Sequence, residues 1–160
     1  YMRINDAGLD IIKKFEGLVD GDSSSPGFSP YRCPANIPTI GYGATRYSDG
    51  TPVRMGDRGI TKEEAEDLLA AHCHHAEYWV SRLTKVVLSS NQFSSLVSFV
   101  FNIGSGNYQG SQVRIKLNRG SYDDAADNFW QWRRGGGRIL PGLVRRRAAE
   151  AALFRRNGGV

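Results

Sequence analysis

Apolar positions along the chain follow two periods, and they change over near residue 60. Leu9, Ile12 and Phe15, with Ile11, recur at helical spacing between Asn5-Asp6 and Gly17. That spacing loads one helix face, Asn5-Asp6 supplies a cap and Gly17 a stop, so a helix is predicted over about 5–16. Residues 20–30 (DGDSSSPGFSP) hold no period and read as a turn-rich loop. From Tyr31 to Arg58 short strands are predicted. Thr39-Ile40-Gly41-Tyr42-Gly43 alternates, and Ser48-Asp49-Gly50 marks a turn. Thr61-Lys62-Glu63-Glu64 is a capping box opening a long helix to about Leu83. Beyond Ser90 the pattern is helical. Phe93, Leu96, Val97, Val100 and Phe101 make one stripe ending at Gly104, and Val113, Ile115 and Leu117 a short helix ending at Gly120. Ser121-Tyr122-Asp123-Asp124 caps a helix to about Trp132, Gly135-Gly136-Gly137 breaks the chain, and Pro141 starts a last helix through Phe154.

Strands gathered near the N-terminus and helices after them give an α+β class, mostly α-helical. The expected layout is one domain with two lobes. A small β-containing lobe spans about 18–60, a connecting helix about 61–83, and a helical lobe about 84–160, packed with helix 5–16. A cleft between lobes is where a ligand would bind. The 160 residues are 40% hydrophobic and 23% charged, ordinary globular values. No apolar run approaches the ~20 residues of a membrane span. Tyr1 to Asp10 lacks the apolar stretch of a signal peptide, and Tyr1 ahead of Met2 is expected to be a cut edge.

Charge adds an asymmetry. Residues 1–80 carry 8 Lys/Arg and 12 Asp/Glu, while residues 81–160 carry 13 and 4, which gives the net charge of +5. A basic half fits an anionic partner: nucleic acid, anionic lipid headgroups or an acidic polysaccharide. Trp130, Trp132, Arg133, Arg134 and Arg138 interleave aromatics with cations, which could stack single-stranded nucleic acid, but core tryptophans beside a basic loop are the better reading. In Arg145-Arg146-Arg147 some arginines are expected to face solvent or pair with Glu150, about one turn away. His72-Cys73-His74-His75 resembles a metal run, yet only His72 and His75 share a helix face and no second cluster is present. No metal or cofactor is expected.

Two features suggest chemistry. Glu16 ends the first helix beside Phe15, where desolvation could raise its pKa and make it a general acid, although taken alone a solvated helix-end carboxylate is the better reading. Gly41 and Gly43 flank Tyr42, so a ligand can approach the backbone there. Glu16-Gly17, Tyr31-Arg32-Cys33-Pro34, Thr39-Ile40-Gly41-Tyr42-Gly43, Phe93 to Gly104, and Gly110-Ser111 to Gly120 stand in that order, followed by Pro141 to Arg147 with Glu150. In this arrangement the chain resembles the phage-type lysozymes, glycoside hydrolase family 24. The resemblance implies a two-lobed lysozyme fold and an endolysin cutting the β-1,4 bond between N-acetylmuramic acid and N-acetylglucosamine of peptidoglycan.

The family's catalytic pattern is Glu, eight residues, Asp or Cys, five residues, Thr. Glu16 matches the acid, Cys33 the Asp-or-Cys position, and five residues separate it from Thr39. Sixteen residues rather than eight lie between Glu16 and Cys33, and the surplus coincides with the 20–30 loop, read as a surface bulge. Phe101, Ser111 and Asn128 match family positions that contact sugar, and Thr45 falls at another such position with a different residue type. An ordinary thiol, with a pKa of ~8.5, is only about 3% thiolate at pH 7. Two versions stand: Cys33 acts as a thiolate base, which requires a depressed pKa, or it stays neutral and helps Thr39 position water; with Arg32 as the sole charge beside it in sequence, the second is slightly favoured. Cys33 and Cys73 are expected to be free thiols. A lytic transglycosylase using Glu16 alone is the alternative, and a non-catalytic wall- or nucleic-acid-binding module is a third reading. The implied partner is peptidoglycan, with no nucleic acid, no stable membrane insertion and a monomeric state. The implied site of action is the wall, after synthesis in the bacterial cytoplasm.

Overall fold

The structure is a computed structural model that describes residues 2–156, so Tyr1 lies outside the described residues. The elements run α1 (Asp6–Glu16), β1 (Tyr31–Arg32), β2 (Pro38–Thr39), α2 (Lys62–Leu83), α3 (Ser90–Ile103), α4 (Ser105–Gln109), α5 (Gln112–Asn118) and α6 (Tyr122–Ala126). A 3-10 turn (Phe129–Gln131), β3 (Arg134–Gly135), β4 (Arg138–Ile139) and α7 (Pro141–Arg155) complete them. The mostly helical α+β class expected from the sequence is what forms. The described residues form two compact units, Glu16–His72 and residues 2–15 with 73–156, and the chain crosses between them at the end of α1 and within α2. No described helix is long and apolar enough to cross a membrane.

In the larger unit α3 is buried on all sides from Phe93 to Val100, although the sequence predicts a single stripe. A helix wrapped by neighbours buries its small polar residues too, provided each finds a partner. Ser94 Oγ accepts from the Asn5 N–H at 2.9 Å, and Ser98 Oγ donates to Glu150 at 2.6 Å. Phe99, off the predicted stripe, is fully buried, with its ring 4.8 Å from that of Phe129 and 6.3 Å from those of Tyr108 and Trp132. Phe101, on the stripe, is only half-buried.

The arginine run of α7 divides. Arg145 is exposed, whereas Arg146 and Arg147 are 2% and 1% exposed and meet the fully buried Glu150 at 3.2 and 2.9 Å. The Arg147 Nε and Glu150 Oε1 sit at ion-pair distance without an aligned hydrogen bond. Arg147 also donates to Asn102 Oδ1 at 2.8 Å. Burial pushes the Glu150 carboxyl up, opposed by Arg147 and Arg146. The helix predicted to reach Trp132 stops at Ala126: Asn128 turns its Nδ2 back onto the Asp124 carbonyl at 2.6 Å, and a 3-10 turn follows. The break at 135–137 is a hairpin, whose central Gly136 and Gly137 both have positive φ (59° and 79°).

The smaller unit buries Ile40, Val53 and Ile60, along with Ala65, Leu68 and Leu69 of the first half of α2. The Thr61–Glu64 capping box forms as expected, at 2.9 and 3.0 Å. Its strands are shorter than predicted: after Thr39 the chain turns at once, with single bridges at Ile40–Ala44 and Arg46–Pro52. The 20–30 loop is built. Asp20 Oδ1 accepts from the Asp22 and Ser29 N–H groups, each at 3.0 Å, and Phe28 bridges to Ile60.

Candidate active site

The site residues of the smaller unit come from one helix end and one hairpin. Asn5 caps α1, its Oδ1 accepting from the Gly8 N–H at 3.0 Å, and Gly17 closes the helix at φ 77°. Glu16, the last helical residue, is thereby held half-buried. Its Oε1 lies against the turn after β2. A side-chain carbon on Gly43 would stand 3.3 Å from that oxygen, and Gly43 holds φ at 87°.

The hairpin pairs Tyr31 with Thr39 and Arg32 with Pro38. Cys33 donates its N–H to the Ile37 carbonyl at 3.1 Å and accepts from Asn36 at 2.7 Å, so Pro34-Ala35 form the corner and Asn36 takes a left-handed φ of 63°. In an antiparallel pair, opposed residues and residues two apart share a face. Tyr31, Cys33 and Thr39 therefore share one. Thr39 is 2% exposed and donates its hydroxyl to the Ile37 carbonyl at 2.8 Å.

The electrostatics follow from this packing. The Cys33 thiol is held below its ordinary range, first by backbone hydrogen bonding from Ile37, then from Ala35 and the Thr39 hydroxyl, against partial desolvation. Hydrogen bonding favours the thiolate here, so the neighbouring charge considered in the sequence is not required. Tyr31 is pushed up by burial and by the Glu16 and Cys33 charges, and a hydrogen bond with the Gly43 backbone opposes this. The phenol thus lies within electrostatic reach of both groups. Tyr31 belongs to a quoted motif that assigned it no role, and Gly43, expected only to let a ligand near the backbone, also makes room for the Glu16 carboxyl. The β-register that sets Tyr31 opposite Thr39 is the signal that could have found the first.

The remaining predicted residues fall elsewhere. Thr45 is exposed in the smaller unit. Phe101 is half-buried near the end of α3. Ser111 is 2% exposed and caps α5, accepting from the Arg114 N–H at 3.1 Å and donating to the Tyr108 carbonyl at 2.8 Å. Asn128 is 7% exposed and spends its Nδ2 on Asp124. Both cysteines are free, and burial pushes the Cys73 thiol up to about 12. Among the described residues no group of three or more His, Cys, Asp or Glu gathers as for a metal.

The model of the family described as Phage lysozyme matches residues 13–150. The chain belongs to the phage lysozyme family. It is 38% identical over 154 residues to an endolysin of Bacillus phage PZA, covering 96% of this chain and 55% of that one. It thus spans about half the length of the first curated relatives it matches. An endolysin structure from Escherichia coli O157:H7 phage FAHEc1 superposes with a TM-score of 0.84 at 36% identity, covering 97% of this chain and 94% of the other. The muramidase domain of SpmX from Asticaccaulis excentricus gives 0.77 at 32% identity, covering 98% and 99%. The expected family and lysozyme fold are borne out.

Proposed function

We propose that this phage lysozyme family member is an endolysin hydrolysing the β-1,4 bond between N-acetylmuramic acid and N-acetylglucosamine in peptidoglycan. The observation that carries the reading is the convergence of Glu16 with a hairpin face bearing Tyr31, Cys33 and Thr39 in one unit. Glycoside hydrolysis needs an acid at the leaving oxygen and a group that activates water. Glu16 gives its proton to the glycosidic oxygen as that bond breaks. Water adds to the anomeric carbon, and its proton passes to the Cys33 thiolate. The depressed Cys33 thiol favours this version over a neutral thiol. Thr39 has one hydroxyl proton and two neighbours, the Ile37 carbonyl and the Cys33 sulfur, so its turning tracks the ionisation of Cys33. Thr45 offers exposed surface and Phe101 half-buried surface to sugar, while Ser111 caps α5 and Asn128 bonds back to Asp124 of α6.

The two units serve one catalytic domain, acting as a monomer on the wall after synthesis in the bacterial cytoplasm. Turbidity loss on purified peptidoglycan tests the assignment. Glu16→Gln is expected to abolish lysis, and full activity in that variant would sink it. Cys33→Ser is expected to lose about 10²–10⁴-fold, the usual contribution of a general base, and Cys33→Asp to restore most of it. Muropeptide masses distinguish reducing ends from the anhydro ends of a transglycosylase, which are lighter by one water.

A further inference from the structure

Hydrolysis as read above makes no use of the surface around Trp130. This tryptophan is 52% exposed, and the Arg133 guanidinium lies over its ring, 4.5 Å from the centroid. The pair forms one wall of a groove of about 280 Å³, lined further by Val144, Ala148 and Ala151, with Arg155 also on the lining. Asp127, the acid on this groove, is paired with Arg155. Exposed apolar surface continues from the wall, with Ile139 46%, Leu140 38% and Val144 43% exposed. The Leu140 N–H donates to the Arg133 carbonyl at 3.0 Å, which fixes this end of the hairpin beside Arg133.

Residues 130–156 contain eight arginines, no lysine and a single acid, Glu150. Arg146 and Arg147 are buried against that acid. The other six are exposed at least in part. Guanidinium groups are suited to phosphate because they bind it bidentately. Tryptophan beside aliphatic side chains suits the boundary between headgroups and acyl chains. Nucleic acid fits less well. Stacking of successive bases needs open ring faces, but Arg133 covers one face of Trp130 and the Trp132 ring packs on Phe99 at 6.3 Å. The ledge at Ile139, Leu140 and Val144 also has no counterpart on a phosphate backbone.

We propose that the Trp130–Arg133 wall and the hairpin beside it form a peripheral docking surface for an anionic phospholipid bilayer. The arginines engage lipid phosphates, while Trp130 and the aliphatic ledge rest at headgroup depth without spanning the bilayer. This proposal does not depend on the hydrolytic reading, because its readout is binding.

Co-sedimentation of the full chain with phosphatidylglycerol vesicles at low salt tests it, with phosphatidylcholine vesicles alongside. Partition is expected on the anionic vesicles alone. Arg133→Ala should weaken it about fivefold, Arg133→Glu about thirtyfold, and Trp130→Ala measurably. Arg138→Glu, on the exposed hairpin, provides a second charge reversal should Arg133→Glu fail to fold by circular dichroism. Lysis of purified peptidoglycan should be unchanged in every variant. The proposal is overturned by absence of partition, by equal partition on phosphatidylcholine, or by variants that bind as wild type. A single-stranded oligonucleotide that binds more tightly than the vesicles, and loses binding in the same variants, would assign the surface to nucleic acid instead.

Discussion

Gly43→Ala tests whether the position of the Glu16 carboxylate against the 41–43 turn is functional. Gly43 holds φ at 87°, a conformation that costs an L-residue about 1–2 kcal/mol. In a chain of this size that loss lowers Tm by about 2–8 °C. The new methyl would also stand 3.3 Å from Glu16 Oε1, so the carboxylate must give by a few tenths of an ångström or rotate away. A displaced catalytic group can lose up to about 10²-fold in rate. Gly50→Ala is the matched control. Its φ is 88° and a side-chain carbon there meets nothing within 4 Å, so it carries the backbone strain without touching Glu16. Thermal unfolding should shift equally in both variants. Turbidity loss on purified peptidoglycan, measured well below both midpoints, should fall about 10–100-fold in Gly43→Ala and stay near wild type in Gly50→Ala. Equal lysis by the two variants would refute the reasoning, because the Glu16–Gly43 contact would then have no bearing on the reaction.

Three further outcomes are expected. Iodoacetamide should modify Cys33 at a pH below that required by an ordinary cysteine, since its depressed pKa brings the thiolate forward, while Cys73, buried and pushed up to about 12, should stay unmodified in the folded protein; peptide mass spectrometry over pH reads both, and an ordinary Cys33 profile would remove the thiolate-base version. Glu150→Gln leaves Arg146 and Arg147 buried without their counter-charge and should cost about 3–5 kcal/mol in urea unfolding, whereas a loss below about 1 kcal/mol would show that the cluster is not held by charge. Partition onto phosphatidylglycerol vesicles should weaken as ionic strength rises, because the six outward arginines of residues 130–156 act through a screened field; a flat salt response would reduce them to solvation alone.

The sequence by itself determined the elements with local causes. The Asn5 cap, the Thr61–Glu64 box and Pro141 act on neighbours within one turn of backbone, so each helix starts where the sequence reading expected. Residue order likewise placed Glu16 ahead of Cys33 and Thr39, with the family's five-residue gap between the last two and sixteen residues where the pattern has eight. What needed the three-dimensional structure depends on groups distant in sequence, or on the conformation that aims nearby groups at one another. Periodicity assigned Phe101 to the core and passed over Phe99, since it counts one face, whereas α3 is enclosed on all of them. Arg145, Arg146 and Arg147 are indistinguishable as residue types, and packing against Ser98 and Glu150 buried two and exposed one. Asn128 ended a helix that its neighbours would have continued, through a single side-chain bond to Asp124. The Cys33 thiol was depressed by backbone N–H groups, which every residue but proline carries and no sequence marks, once the 34–36 corner aimed them at the sulfur.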